Sequence, residues 1–312
     1  MPILMNNILV LVIMIFYGLL SGGSAIILKI GIVRAGGIKI DNFLRDIGLA
    51  AWKLIKTPIW IIGAIAAITG FIIYTLALNI YDVSVVKPLV NTNLLFTFVF
   101  AYIIFKEHLS RIEWFGVSVL VTGLLLSAFS GEIESSNLMN TPLLLVFFPL
   151  TIIMMFIMVF IMFISKKGHA EFIFPIFAGL FYGMGTFFTK SALISLNLLG
   201  NGNFLPIGML LYSVFMFLLT YGFAIIAQQL AFERGRLSIV SPITNSLSVI
   251  VSFIGAYFVF YEDLILPIEG ELVVQSFFKV FGLICILIAL FILRREITIP
   301  ISDKSEAASL IS

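Results

Sequence analysis

The sequence predicts an all-α integral membrane protein with nine transmembrane helices in two repeats of inverted topology. Three observations support this fold class. The chain of 312 residues is 61% hydrophobic and 11% charged, apolar runs of bilayer length recur throughout it, and one proline-containing motif occurs twice. Soluble domains carry about 25% charged residues, so this composition excludes an ordinary soluble domain.

Apolar runs of roughly 20 residues mark the helices that cross the bilayer. They form one polytopic domain over residues 1–296, with a first repeat over about 8–129 and a second over about 143–294. A polar cytoplasmic tail follows at 297–312. The predicted spans are residues 8–29, 58–78, 83–105, 114–129, 143–164, 172–196, 207–232, 237–261 and 273–293.

Basic residues occur only in alternate loops, which tests the count of nine. Short cytoplasmic loops collect Lys and Arg, and here these residues follow the odd-numbered spans, whereas acidic residues follow the even-numbered ones. We therefore expect a cell-membrane protein with its N-terminus outside and its C-terminus in the cytoplasm. The basic residues outside the spans are Arg34, Lys39, Arg45, Lys53, Lys56, Lys106, Arg111, Lys166, Lys167, Arg234, Arg236, Arg294, Arg295 and Lys304.

The linker over residues 41–57 has apolar residues at helical spacing, with Lys53 and Lys56 near its end. This pattern predicts a short amphipathic helix on the cytoplasmic interface. A structured linker without membrane contact is the alternative.

An eight-residue motif appears in two spans. The sequence SVVKPLVN at 84–91 matches SIVSPITN at 238–245, and AYIIFKE at 101–107 matches AYFVFYE at 256–262. The third span runs from outside to inside and the eighth runs the other way, so the two copies are inverted. Secondary transporters use inverted repeats for alternating access around a midplane site. The repeat favours such a carrier, and a membrane scaffold or receptor without transport is an alternative.

Several positions in the first repeat resemble a known family. They are Trp60, Gly63, Ala77, Leu78, the stretch VVKPL at 85–89, Lys106, Glu107, Gly116 and Gly123. Together they resemble the EamA-like repeat of the drug/metabolite transporter (DMT) superfamily, and the second copy follows the pattern less closely. The superfamily usually has ten helices in two inverted sets of five, so this chain lacks one helix of the first set. The resemblance implies a carrier of small solutes, and we predict that the chain moves a small polar metabolite or drug-like solute by alternating access.

Nine helices with a cytoplasmic linker after the first are also similar to NIPA-type magnesium permeases. The stretches SAIILKIGI at 24–32 and TKSALISL at 189–196, and the insertion LPIEGELVVQS before the last helix, carry this resemblance. It implies Mg²⁺ as an alternative substrate. The predicted spans contain no Asp or Glu, although carboxylates are the usual protein ligands of Mg²⁺. The NIPA resemblance therefore favours Mg²⁺, whereas the lack of carboxylates in the spans disfavours it.

The repeated prolines, Pro88 and Pro242, are candidate helix breaks. Each removes a backbone donor and leaves the carbonyl of Ser84 or Ser238 without its helical partner. Asn91 and Asn245 follow at equal spacing and are predicted to line the substrate cavity. Repair of the proline kinks by the same side chains is the alternative.

Lys87 and Lys190 lie within the outer half of their predicted spans. Lys87 and Lys190 are candidate substrate ligands, because a charged side chain at such depth needs water or a partner. If both face the cavity, they favour an anionic or zwitterionic solute. Outward snorkelling is the alternative for Lys87. Further candidates on the same argument are Asn93, Gln228, Gln229, Tyr74 and Tyr182.

Catalytic motifs are absent from the sequence. It contains no HExxH and only two histidines, which lie in predicted cytoplasmic loops. We therefore predict no enzyme activity, no cofactor and no metal site built from protein ligands. The expected partners are a small-molecule or ion substrate and the lipid bilayer, with no nucleic acid, and homodimer formation is left open. Small-residue pairs at Gly18 and Gly22, and at Gly183 and Gly185, predict close helix packing.

Overall fold

The computed structural model describes residues 2–36, 43–105, 111–129, 139–164, 170–200, 206–234, 237–261 and 271–295. The described chain is almost wholly helical, which confirms the predicted all-α fold class. The helices are α1 (Pro2–Arg34), α2 (Phe43–Ile55), α3 (Pro58–Ile80), α4 (Val83–Leu89), α5 (Thr92–Phe105), α6 (Arg111–Phe129), α7 (Thr141–Ile164), α8 (Ala170–Gly200), α9 (Ile207–Arg234), α10 (Leu237–Phe260) and α11 (Glu271–Arg295).

Five of the described helices are apolar and long enough to cross a bilayer. The qualifying stretches are Ile8–Arg34, Pro58–Ile80, Thr141–Ile161, Ile207–Glu233 and Ile243–Phe260. Large apolar side chains cover their outer faces, and Phe156 on α7 is 72% exposed. Such a surface suits hydrocarbon rather than water. The chain is a multi-pass membrane protein, whereas the count of nine spans and the orientation of the termini stay predictions.

The third predicted span is two helices, α4 and α5, rather than one. Pro88 has no N–H and its ring disfavours a continuing α-helix. The following turns use shorter hydrogen-bonded steps, from the Asn91 N–H to the Pro88 carbonyl and from the Asn93 N–H to the Val90 carbonyl, both at 3.1 Å. In the second copy of the motif, α10 is continuous past Pro242.

The helices pack in two matching groups. Helix α1 packs against α3 and α5, and α8 packs against α9 and α10, while α6 and α11 pack against each other. The largest buried cluster lies around α4, all of whose residues are buried, and includes side chains of α6, α8, α10 and α11. Residues of the predicted linker form α2, which lies beside α3.

Glycines allow the close crossings within these groups. A Cβ on Gly18 would lie 2.6 Å from the Thr92 hydroxyl oxygen of α5, and one on Gly179 would lie 2.6 Å from the Thr244 carbonyl oxygen of α10. Gly22 and Gly183, one turn later on α1 and α8, meet the same two neighbours, α5 and α10. One GxxxG contact therefore joins α1 to α5, and another joins α8 to α10.

Candidate functional site

A cavity of about 430 Å³ lies among helices α1, α3, α5, α9 and α10, with α4 and α8 at its edge. This volume is within the range of small-molecule sites. Apolar and polar side chains both line it. The polar ones are Tyr17, Ser21, Ser24, Tyr74, Lys87, Asn93, Thr97, Tyr182, Tyr221, Gln228, Gln229, Ser241, Thr244, Asn245 and Ser248.

Lys87 lies at the end of the cavity beside the buried cluster around α4. Its side chain is 4% exposed. Its Nζ donates to the Thr186 hydroxyl oxygen at 2.9 Å and lies 5.4 Å from the centre of the Tyr74 ring. The Tyr74 hydroxyl donates to the same oxygen at 3.1 Å. Thr186 in turn donates to the Tyr182 carbonyl at 3.0 Å. One threonine of α8 thus holds an amine from α4 and a phenol from α3.

Among the described lining residues, Lys87 is the one that carries a side chain of the Lys, Arg, Asp or Glu type. No carboxylate within that lining offsets its charge when the amine is protonated. In an interior of low dielectric constant, an ammonium group favours an anionic ligand. This end of the cavity is therefore suited to a carboxylate, phosphate or sulfonate group.

Amide side chains connect helices farther along the cavity. The Asn245 Nδ2 of α10 donates to the Asn93 Oδ1 of α5 at 2.8 Å. The Tyr182 hydroxyl of α8 donates to the Gln228 Oε1 of α9 at 2.5 Å. These four residues were predicted from the sequence as site candidates, and the structure brings them to the same cavity as Lys87 and Tyr74.

Two lining residues have polar atoms without a hydrogen-bond partner among the described residues. They are the indole Nε1 of Trp60, a donor, and the Oε1 of Gln229, an acceptor. Buried polar groups are normally hydrogen-bonded. Leaving them unpaired costs free energy that a bound polar group or water molecule would recover.

Two predicted ligands, Asn91 and Lys190, lie away from the cavity lining. Asn91 is fully buried at the break between α4 and α5, where its Nδ2 donates to the Pro88 carbonyl at 2.9 Å. This is the kink repair that was the alternative to substrate contact. Lys190 Nζ donates to the carbonyls of Leu78 at 2.8 Å and Tyr81 at 3.2 Å. It binds the C-terminal end of α3, where the helix dipole favours a cation.

The proline motif interrupts the helix in the first copy but not in the second. Pro88 coincides with the end of α4, and Ser84 is buried beside it without lining the cavity. The backbone of Ser238 and Pro242 is helical within α10, and their side chains lie outside the described part of the structure. Sequence symmetry therefore does not produce the same break twice.

Several residues of the site were not identified as site candidates from the sequence. Thr186 holds Lys87, and Tyr17, Trp60 and Tyr221 line the cavity. Thr186 lies one turn before Lys190 on the same helix, which was an available signal. The tyrosines carry no such signal, since aromatic side chains are frequent in every span.

The described residues contain no group of three or more His, Cys, Asp or Glu side chains that could hold a metal ion. The acidic and histidine residues of several predicted loops, including Glu107, His108 and Glu262, lie outside the described ranges. The structure thus offers no support, in its described part, for a magnesium site.

Comparisons with known proteins give partial relatives. One is a probable 4-amino-4-deoxy-L-arabinose-phosphoundecaprenol flippase subunit ArnE from Pseudomonas fluorescens, 35% identical over 57 residues, which are 18% of this chain and 50% of the relative. The ArnE of Aeromonas hydrophila is 29% identical over 76 residues, 24% of this chain and 66% of that protein. The chain therefore matches between half and two thirds of these relatives' lengths.

No family model matches the chain. No solved structure matches it either.

Proposed function

We propose that this protein is a secondary transporter of the DMT type that moves a small metabolite or drug-like solute with an anionic group by alternating access. The observation that carries the proposal is the cavity whose end toward α4 holds the buried amine of Lys87. A carrier needs a central site that closes on one side, and Lys87 lies where α3, α4 and α8 meet at that side.

The packing of the helices supports alternating access. Helices α1, α3 and α5 form one group and α8, α9 and α10 form another, with the GxxxG contacts in corresponding places. The cavity lies between the groups. Rocking of one group against the other would expose it to alternate sides, as in carriers built from inverted repeats.

The relatives support transport over a scaffold or receptor role, because both are described as flippase subunits. Magnesium is not proposed as the substrate. The described lining offers a lysine and neutral polar groups, whereas Mg²⁺ is bound through carboxylates and phosphates.

Thermal stability of the purified protein provides the test. We expect a subset of anionic or zwitterionic metabolites to raise the unfolding temperature, because a ligand that binds the folded state stabilises it. Replacement of Lys87 by Met should weaken that binding about tenfold or more. Lys56→Met is the matched control, since Lys56 is exposed and lies over the Trp52 ring, 4.8 Å from its centre, away from the cavity.

Flux into proteoliposomes then tests transport of any solute so identified. Saturable uptake that is lost in Lys87→Met and kept in Lys56→Met supports the proposal. Binding without flux would indicate a receptor. Stabilisation by Mg²⁺ alone, unchanged in Lys87→Met, would contradict the proposed substrate class.

A further inference from the structure

The seam between α3 and α9 is closed over part of its length and open over the rest. On the Lys87 side, Phe71 of α3 stacks on Phe217 at 5.5 Å and meets Tyr221 edge-on at 5.2 Å between ring centres. Toward the start of α3, the cavity-lining residues one and two turns from Phe71 are Ala67 and Ala64. Aromatic rings close the seam, and the small side chains leave a gap.

The gap reaches the surface of the molecule. Ile68 of α3 and Ile225 of α9 both line the cavity, yet they are 60% and 47% exposed. A residue that lines a cavity and is also exposed lies at its mouth. We call the opening bounded by Ala64, Ala67, Ile68 and Ile225 the lateral portal.

The portal faces hydrocarbon rather than water. Ile68 lies near the middle of the apolar stretch Pro58–Ile80, and Ile225 lies within Ile207–Glu233, two of the stretches suited to crossing a bilayer. Their exposed neighbours on α3, Ile65 and Ile72, are also large and apolar. An opening at this depth connects the cavity to the acyl-chain region of the membrane.

The interior of the cavity differs from its mouth. Lys87 contacts the ring of Tyr74, which lies about 9 Å farther along α3 than Ile68 at a rise of 1.5 Å per residue. Polar side chains, including Asn93 and Asn245, also line the cavity. A ligand that spans this distance is polar at one end and apolar at the other.

We propose that the substrate enters from the bilayer through the lateral portal and is an amphiphile with an anionic head group. The head binds at Lys87, and the tail passes between Ala67 and Ile225 into the membrane. This inference rests on the proposed function and specifies its substrate class and route of entry.

Fluorescence of Trp60 tests the route, because this residue lies one turn from Ala64 and lines the cavity. In a Trp52→Phe, Trp114→Phe variant in nanodiscs of zwitterionic phospholipid, Trp60 is the remaining tryptophan. The probe is 12-bromododecyl phosphate, whose bromine quenches a nearby indole. We expect saturable quenching that dodecyl phosphate competes away. 12-Bromododecanol should quench without saturation, because it lacks the anionic head.

Two variants fill the portal and one controls for the added ring. Ala67→Phe and Ala64→Phe should each weaken binding of the bromo-probe about tenfold or more. Ile65→Phe places the same ring on the lipid-facing side of α3, at a residue that is 58% exposed, and should leave binding unchanged. Lys87→Met, made without any portal substitution, should also weaken binding of the bromo-probe.

The outcomes separate this inference from the proposed function. Equal binding in Ala67→Phe, Ala64→Phe and Ile65→Phe would overturn the lateral route. Lys87-dependent binding of a water-soluble anion, with no saturable effect of the amphiphile, would also overturn it while the proposed function stands. If neither class of anion binds in a Lys87-dependent way, both proposals fail.

Discussion

At the residue scale, two buried lysines, each predicted in the outer half of a span, have different surroundings. Lys87 lines the cavity and meets a hydroxyl and an aromatic ring, whereas Lys190 meets two backbone carbonyls at the end of α3. The carbonyls are part of the fold and are not displaced by a ligand. These contacts support the proposed role of Lys87 in substrate recognition and favour a structural role for Lys190.

Lys190→Met is expected to destabilise the protein by about 1 to 3 kcal/mol, because it removes hydrogen bonds from a lysine to two carbonyls. The unfolding temperature in detergent measures this loss. The dissociation constant of a ligand found with the wild-type protein should not change in the folded fraction. A selective loss of ligand binding at unchanged stability would instead indicate that Lys190 binds the substrate.

Thr186→Val removes the hydroxyl that binds both Lys87 and Tyr74 while keeping the shape of the side chain. We expect a loss of about 1 to 3 kcal/mol in the free energy of unfolding, because buried polar atoms lose their partner. Thr69→Val is the control, since the Thr69 hydroxyl is exposed and bonds within its own helix to Ile65. Equal unfolding temperatures for the two variants would argue against the Thr186 network.

At the scale of elements, glycine contacts decide which helices approach closely. Helix α8 carries Gly179 and Gly183 against α10, as α1 carries Gly18 and Gly22 against α5. The sequence prediction paired Gly183 with Gly185, but Gly185 packs against the Tyr221 ring of α9. Gly183 and Gly185 are two residues apart and lie on different faces of α8, whereas Gly179 and Gly183, four residues apart, share the face that meets α10.

Gly183→Ala is expected to cost about 1 to 3 kcal/mol through overpacking. A Cβ at this position would lie 2.6 Å from the Cβ of Val251. Gly222→Ala on α9 is the matched control, because a Cβ there meets nothing within 4 Å, and helix propensity favours Ala by up to about 1 kcal/mol. Thermal unfolding compares the two. A tolerated Gly183→Ala would show that α8 and α10 are less tightly packed than described.

At the scale of the whole molecule, the side of the cavity beyond Lys87 is closed by contacts between the two helix groups. The ends of α3 and α8 meet there, and the Asn197 Nδ2 donates to the Asn79 Oδ1 at 3.1 Å. Both residues are exposed. Alternating access requires this contact to open during the transport cycle.

A cross-link between Asn79→Cys and Asn197→Cys, made in a Cys285→Ser background, should therefore stop flux. Ligand binding from the open side should persist, because the cavity itself is unchanged. Uptake by proteoliposomes before and after reduction measures the effect, and each single cysteine variant serves as control. Undiminished flux through fully cross-linked protein would contradict rocking of the two groups.

The sequence by itself determined the all-α membrane fold and most of the site chemistry. Apolar length and loop charge specify spans because lipid offers no hydrogen bonds to an unfolded backbone. Rare polar residues in such spans are costly, so Lys87, Asn93, Tyr74 and Tyr182 were identifiable as site candidates. The same argument selected Lys190, because depth in the membrane does not reveal which partner a side chain meets.

The tertiary structure alone decided which of these polar residues face the cavity. Rotation and crossing of each helix set whether a lysine meets a carbonyl or open space, and these depend on distant neighbours rather than on local pattern. The same packing stacks Phe71 on the aromatic rings of α9 and leaves Ala67 beside a gap. A portal of this kind is a property of two helices together and has no signature in either one.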